Sequence, residues 1–243
     1  MDIGFHAAGF QTLVAVEQDH SCCETLRLNM PNVPVIEGDI SGITTEEILR
    51  TAGVKPLDID VVIGGPPCQS FSLAGDRMGM DDPRGLLLLE YIRVVREALP
   101  KVFVMENVKG MVNWSKGRAK DAIVSGMSEP ILYDDIEYSY ELSFQVLNSA
   151  HFGAPQFRER FFIVGNRINQ VFEFPKATHG ITESSELVAR GQITLFNAFS
   201  ESTLLPYTTV GDAIGSLSDA SPPSENALKI SKTIKDRIKK HGH

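Results

Sequence analysis

The sequence has few cysteines and no excess of basic residues. Its three cysteines, Cys22, Cys23 and Cys68, form neither a C-x-x-C pair nor the spacing of a zinc site or a disulfide framework. Lysine and arginine total 23 against 31 aspartate and glutamate residues, so the formal net charge is −8. This charge argues against a protein that coats nucleic acid with its whole surface, but it permits a local basic groove.

Long apolar runs are also absent. No segment has roughly 18 or more consecutive apolar residues, and the first residues lack the basic and apolar regions of a secretory signal. We therefore predict a soluble, cytoplasmic protein with no membrane-spanning segment. With 243 residues, 42% of them hydrophobic, the chain can bury a full core, and one α/β domain with a polar tail is the simplest organisation.

Short apolar runs alternate with amphipathic segments, which is the pattern of an α/β fold. Strands are predicted at 12–17, 33–37, 60–63 and 101–105, and helices at 3–10, 19–29, 44–52 and 86–99. In the last of these helices, Arg93, Arg96 and Glu97 are predicted to point outward. Residues 142–147 and 161–165 are predicted to pair like a hairpin around the segment 152–160.

The most informative stretch is residues 64–72, with the sequence GGPPCQSFS, directly after the apolar run 60–63. This pattern predicts a buried parallel strand that ends in a rigid loop. Two prolines restrict the backbone before Cys68, and two glycines allow it to approach a ligand closely. A buried structural role is the commoner one for a free thiol, but Cys68 lies among prolines and polar residues, which favours a nucleophile.

Two acidic residues are predicted at strand ends. Glu17 closes the strand 12–17, where a doubly wound nucleotide-binding fold often has an acid that accepts hydrogen bonds from ribose hydroxyls. Glu106 follows the strand 101–105 and would lie beside Cys68 if consecutive strands are neighbours. Glu17 could equally be a solvated acid. Glu106 could cap a turn or donate a proton.

A third group of polar residues precedes the last predicted strand. Gln156, Arg158 and Arg160 alternate, so an extended chain would place all three on one side. Such a face could be solvated surface, or it could bind a pyrimidine or a phosphate.

Three of these segments, in this order, resemble motifs of the DNA (cytosine-5) methyltransferases: Pro66–Ser72 (PPCQSFS), Glu106–Val108 (ENV) and Gln156–Arg160 (QFRER). The resemblance extends from about Met1 to about Leu217. It implies a doubly wound, Rossmann-like fold that uses S-adenosyl-L-methionine. It also implies methyl transfer to carbon 5 of a cytosine that is flipped out of double-stranded DNA.

The resemblance also implies site residues. The catalytic residues would be Cys68, which attacks carbon 6 of the cytosine, Glu106, which binds ring nitrogen 3, and the arginines Arg158 and Arg160. The cofactor-binding residues would be Glu17, Gln18, Asp39, Ile40, Pro67 and Leu87, and the DNA-contacting residues Gln69, Ser72 and Gln156. No metal is implied. From the residues alone, Asp39 fits a simple turn and Leu87 fits ordinary core packing.

Two family segments have no counterpart in the chain. The first is the first strand with its glycine-rich turn, which would precede Met1, so we predict a catalytic domain over residues 1–170 that lacks its first strand. The second is the remainder of the target-recognition region with the final helix, since residues 171–243 would form a linker and only the start of that region. We expect this fragment alone to be inactive or weakly active, with a complementing chain as the source of the missing segments.

Two other functions stay open. A relative with the same fold methylates cytosine in transfer RNA, but its loop has proline after the glutamine, where this chain has Ser70, and this difference favours DNA. The second alternative is a non-catalytic remnant that binds a partner or nothing.

Overall fold

A computed structural model of the chain describes residues 1–67, 83–112, 118–181 and 204–217, with residues 225, 229 and 232. The elements within these ranges, in chain order, are α1 (Asp2–Ala7), β1 (Ala15–Glu17), α2 (His20–Asn29), β2 (Val35–Glu37), α3 (Thr45–Ala52), β3 (Val61–Gly64), α4 (Pro83–Ala98), β4 (Val102–Val108), α5 (Arg118–Ser128), β5 (Ile131–Tyr133), β6 (Ile136–Tyr138), β7 (Glu141–Asn148), β8 (Glu159–Asn166), β9 (His179–Gly180), β10 (Leu205–Pro206) and α6 (Val210–Ile214).

The larger sheet has the strand order β3-β4-β8-β7. Strands β3 and β4 are parallel, whereas β8 is antiparallel to both β4 and β7. The predicted parallel strands before Cys68 and Glu106 are therefore neighbours, and the predicted hairpin-like pair is confirmed as β7 and β8. A separate parallel pair, β1 and β2, forms a second small sheet.

The core lies between α4, α5 and the larger sheet, because these elements place their apolar residues on facing surfaces. Strand β4 alternates, with Phe103 and Met105 fully buried, and α4 contributes Val95 and Ala98. The ring of Phe103 packs edge-on against Tyr140, with the ring centroids 5.2 Å apart. This packing fixes β4, and with it Glu106, relative to the rest of the domain.

The prediction that the arginines of α4 point outward is wrong. Glu97 is exposed, but Arg96 donates from Nη1 to the carbonyl oxygens of Gly126 and Glu129, at 2.8 and 3.0 Å. Arg93 likewise donates to backbone carbonyls, of the segment before α3. Both guanidinium groups donate to carbonyl oxygens of other segments, which their place in a helical pattern does not indicate.

A large cavity, here called the central cavity, separates β1 from β3. It is about 1220 Å³ in volume, and its walls include residues 11–18, residues 58–63 and one face of α4. Within the part of the chain that the structure describes, no strand pairs with both β1 and β3. In the described ranges β1 and β3 thus belong to separate sheets, and the lack of a first strand stays a prediction.

Replacement of Gly165 by alanine should strongly destabilise the domain. Gly165 lies in β8 opposite Phe103, and a methyl group there would overlap the buried Phe103 ring. Because overpacking of a core costs about 1–3 kcal/mol, we expect a loss of that size in the free energy of unfolding, measured in urea. Gly110→Ala is the matched control, since a methyl group there meets no atom within 4 Å. Equal stability of the two variants would contradict the packing described.

Candidate active site

Glu106 lies within β4, which extends three residues further than predicted, to Val108. Arg160 of β8 reaches it across the sheet, with Nε 2.6 Å from Oε1 of Glu106. The side chains of Glu106 and Arg160 are only 25% and 22% exposed. A pair so shielded from water is more firmly held than a surface salt bridge, so Arg160 orients the carboxyl group.

The end of β3 lies against the same carboxyl group. A methyl group on Gly65 would lie 3.3 Å from Oε2 of Glu106, so only a residue without a side chain leaves this oxygen unobstructed. Beside it, Asn107 donates from Nδ2 to the carbonyl oxygen of Pro66 at 2.8 Å. Two strand ends are thus joined where the Cys68 loop begins.

Asn107 had no assigned role in the sequence. It is 6% exposed, and its Oδ1 also accepts a hydrogen bond from the backbone N–H of Val108. A buried amide must find partners, and here they are the Pro66 carbonyl and its own strand. The sequence signals were its place in the ENV motif and a polar residue at the end of a mostly apolar strand.

Three of the predicted site residues, Cys68, Gln69 and Ser72, lie outside the described residues. Their roles remain predictions. Pro67 is the last residue described before them, and it lines the central cavity.

Gln156 and Arg158 are not part of a regular strand. β8 begins at Glu159, and a bend at Pro155 and Gln156 interrupts the extended run. The predicted alternation over three residues is therefore wrong, and only Arg160 of the three contacts Glu106. The backbone of this connection is held instead by hydrogen bonds to Asn148 and Ser149. Gln156 and Arg158 are exposed, so their side chains face solvent next to the site.

Predicted cofactor-binding residues converge on the central cavity. Five of the six line it, namely Glu17, Gln18, Ile40, Pro67 and Leu87. Asp39 is not among its lining residues, although Gly38 and Ile40 on either side are. Ligand cavities usually measure about 300–1,000 Å³, so the central cavity has room for S-adenosylmethionine and for more besides.

The two acids of this region are held by local hydrogen bonds. Oε1 of Glu17 accepts from the backbone N–H groups of Gln18 and Asp19, at 2.8 and 2.9 Å. Oδ1 of Asp39 accepts from the backbone N–H and the hydroxyl group of Ser41, and these bonds lower the pKa of Asp39 below its usual value. Each carboxylate is fixed through one oxygen, which suits a donor-rich ligand such as a ribose or an adenine amino group.

Comparison with known families decides the assignment. The model of the family described as C-5 cytosine-specific DNA methylase matches residues 1–242. The chain belongs to this family. The predicted reaction type, methyl transfer to carbon 5 of cytosine in DNA, and the methyl donor S-adenosylmethionine are thereby confirmed, as is DNA as the substrate class.

Curated relatives are type II methyltransferases. The chain is 65% identical to M.AquIA of a Picosynechococcus species over 243 residues, which cover all of this chain and 94% of the relative. It is 36% identical to M.NgoFVII of Neisseria gonorrhoeae, over 95% of this chain and 54% of the relative. It is 34% identical to M.SacI of Streptomyces achromogenes, with coverage of 87% and 50%. The chain thus spans about half the length of the latter two.

Solved structures agree on the fold. A DNA modification methyltransferase encoded within an E. coli prophage matches with a TM-score of 0.60 at 25% identity, over 87% of this chain and 50% of that one. A DNMT2 mutant from Spodoptera frugiperda matches with a TM-score of 0.51 at 20% identity, over 71% and 48%. The Rossmann-like methyltransferase fold is confirmed. No helix in the described ranges is long and apolar enough to cross a membrane.

Proposed function

We propose that this methylase acts on a flipped cytosine with Cys68 as nucleophile and Glu106 as proton donor. One observation carries the proposal: the Glu106 carboxyl group is held by Arg160 at the point where the loop to Cys68 begins. An acid and a thiol on neighbouring strand ends are the two groups that activation of a pyrimidine ring requires.

The proposed chemistry starts from an unreactive ring carbon. The Cys68 thiolate forms a bond to carbon 6 of the cytosine while Glu106 gives a proton to ring nitrogen 3, and the ring becomes an enamine with a nucleophilic carbon 5. S-adenosylmethionine supplies an electrophilic methyl group to that carbon. A base then removes the hydrogen of carbon 5, the bond to the Cys68 sulfur breaks, and ring nitrogen 3 returns its proton to Glu106, which restores the aromatic ring, the thiolate and the acid.

Arg160 acts by position in this scheme. Because its Nε holds Oε1 of Glu106, the other oxygen, Oε2, faces Gly65 and the loop that follows. Oε2 is therefore the atom that reaches nitrogen 3. Arg158 and Gln156, which are exposed beside the pair, would contact the DNA, together with Gln69 and Ser72. Flipping the base out of the stack costs a few kcal/mol, roughly, and such local contacts would offset that cost.

The central cavity would hold the cofactor. Glu17 would accept hydrogen bonds from the ribose, and Gln18, Asp39 and Ile40 would surround the adenine. Pro67 and Leu87 would form the wall near the Cys68 loop. Five of these residues, all but Asp39, line one cavity although they are far apart in the sequence, and this convergence supports the roles.

A complementing chain would supply a strand between β1 and β3. The central cavity separates these two strands, and its volume exceeds that of usual ligand cavities. An extended segment placed there would pair its backbone with β1 on one side and β3 on the other. The cofactor would then lie at the carboxyl end of a continuous parallel sheet, which is the usual position in doubly wound folds.

Replacement of Glu106 by glutamine tests the proton-donor role. Glutamine keeps the shape but donates only a weaker hydrogen bond to nitrogen 3. The single-turnover rate of methyl transfer should therefore fall by roughly a hundredfold or more in the complemented enzyme, meaning this chain together with the segment that pairs with β1 and β3. DNA affinity should change little. Glu141→Gln, an exposed residue at the far end of the same sheet, is the matched control. An unchanged rate in Glu106→Gln would refute the role.

A further inference from the structure

Arg93, in the middle of α4, uses all of its hydrogen-bond donors. Nε contacts Glu90 at 2.6 Å, and Nη1 contacts Thr45 Oγ1 at 2.9 Å and Glu97 at 3.4 Å. Nη2 donates to the carbonyl oxygens of Ile40 at 3.0 Å and Ile43 at 2.9 Å. A guanidinium group has five N–H donors, and each of them has an acceptor here.

Three of these acceptors belong to one short segment, Ile40–Thr45, which connects β2 to α3. Within it, Ile43 and Thr45 are buried, and Ile40 lines the central cavity directly after Asp39. The two glutamates lie on α4 itself, one turn before and one turn after Arg93, and they fix the direction of the guanidinium plane. The geometry is that of a clamp between a helix and a loop.

We propose that Arg93 is a positioning residue for the cofactor: it fixes the backbone at Ile40 and Ile43 so that Asp39 and Ile40 are preformed to receive the adenine. The inference rests on the proposed adenine-binding role of that segment. The helix that carries Arg93 also lines the central cavity, through Leu87, Tyr91 and Val94. Helix α4 therefore forms part of the cavity wall and also fixes the position of the segment Ile40–Thr45.

Lysine cannot replace arginine in this clamp. Its ammonium group is a single point of charge, whereas the two carbonyls and the Thr45 hydroxyl are bridged by a rigid planar fork. The Arg93→Lys variant keeps the charge beside Glu90 and Glu97 but cannot hold the carbonyls of Ile40 and Ile43 and the Thr45 hydroxyl at the same time. Because the loop no longer has one fixed conformation, part of the binding free energy must be spent on ordering it.

Arg96 provides a matched control on the same helix. It also donates to backbone carbonyls, those of Gly126, Glu129 and Pro130, but these lie in the connection between α5 and β5. None of these residues lines the central cavity. Arg93→Lys removes a guanidinium group with five hydrogen bonds, two of them to loop carbonyls, and Arg96→Lys removes one with three, all to carbonyls; only the first affects the loop at Ile40.

The experiment measures S-adenosylmethionine binding by calorimetry and steady-state kinetics in the complemented enzyme. Arg93→Lys should raise the Kd and the KM for S-adenosylmethionine by roughly ten- to hundredfold, the scale at which loss of supporting hydrogen bonds lowers ligand affinity in metal sites. The kcat should change much less, because the clamp does not touch the reacting atoms. Arg96→Lys should leave affinity near that of the parent. Thr45→Val, which removes one acceptor, should act like Arg93→Lys but more weakly, and it serves if Arg93→Lys does not fold.

The Ile40→Ala variant distinguishes a failure of the inference about Arg93 from a failure of the adenine-binding role. If it weakens binding and Arg93→Lys does not, the inference about Arg93 is overturned and the adenine-binding role of the segment stands. If Ile40→Ala leaves affinity unchanged, the adenine-binding role itself is wrong and the inference falls with it. Equal losses of affinity in Arg93→Lys and Arg96→Lys would indicate general destabilisation and would also overturn the inference.

Discussion

Replacement of Cys68 by serine should abolish covalent capture of the complemented enzyme by DNA that carries 5-fluorocytosine. Fluorine at carbon 5 cannot be removed as a proton, so the final elimination stops and the enzyme remains bonded to carbon 6. Serine has a much less acidic hydroxyl group and does not form this bond at neutral pH. Methyl transfer should fall by several orders of magnitude, the scale seen when a nucleophile is removed.

The matched control for this experiment is Cys22→Ser. Cys22 is an exposed residue near the start of α2, and partial desolvation of its thiol together with the neighbouring Asp19 raises its pKa, which makes it a poor nucleophile. Cys22→Ser should be captured as fully as the parent enzyme, as a denaturing gel would show. A persistent adduct in Cys68→Ser would disprove the assignment of Cys68, and loss of the adduct in Cys22→Ser would point to that thiol.

The 243-residue chain by itself should transfer little or no methyl group, and a segment that pairs with β1 and β3 should restore transfer. The edges of these strands face the central cavity. The residues of β1 and β3 are half-buried, and backbone groups that lose water without gaining a partner cost about 1–3 kcal/mol each, against a total stability of about 5–15 kcal/mol for a domain. A few such groups would consume most of that stability. The cofactor would also lack the glycine turn that the family has after its first strand.

The assay compares three proteins in the same tritiated-methyl transfer reaction. The first is the 243-residue chain, and the second is a version extended at both ends by the family's first strand with its glycine turn and by its recognition region. The third is the extended version with proline in the middle of the added strand. Because proline lacks an N–H group and cannot complete the ladder, it should remove most of the restored activity. Comparable turnover by the short chain would show that no added strand is needed.

Motif order and strand order were enough to predict that the strand before the Cys68 loop and the strand of Glu106 are neighbours. The runs before Gly64 and Glu106 were predicted as consecutive parallel strands, and the carboxyl ends of such strands share one edge of a sheet. The contact of Arg160 with Glu106 needed more, since it depends on the antiparallel register of β8 against β4. That register is set by core packing over the whole strand, so it cannot be predicted from a three-residue motif.

The positions of charged side chains on helix α4 were predicted least well from the sequence. Arg93 and Arg96 were assigned to the surface because charged residues usually are, yet both direct their guanidinium groups to backbone carbonyls of other segments. Long side chains can reach such groups from a position that the helical pattern marks as outward. Which carbonyls lack a partner is known only when the loops have been placed.

The sequence by itself determined most of the order of strands and helices, because hydrophobic periodicity and turn residues act over short distances, and the resemblance of three motifs, PPCQSFS among them, pointed to the family and the reaction. Tertiary structure alone decided that Glu17, Ile40 and Leu87 face one cavity, that Arg93 holds the loop beside it, and that β1 and β3 stand apart. These features depend on contacts between segments far apart in the chain. Their energies come from burial and from satisfied backbone groups, which no local pattern specifies.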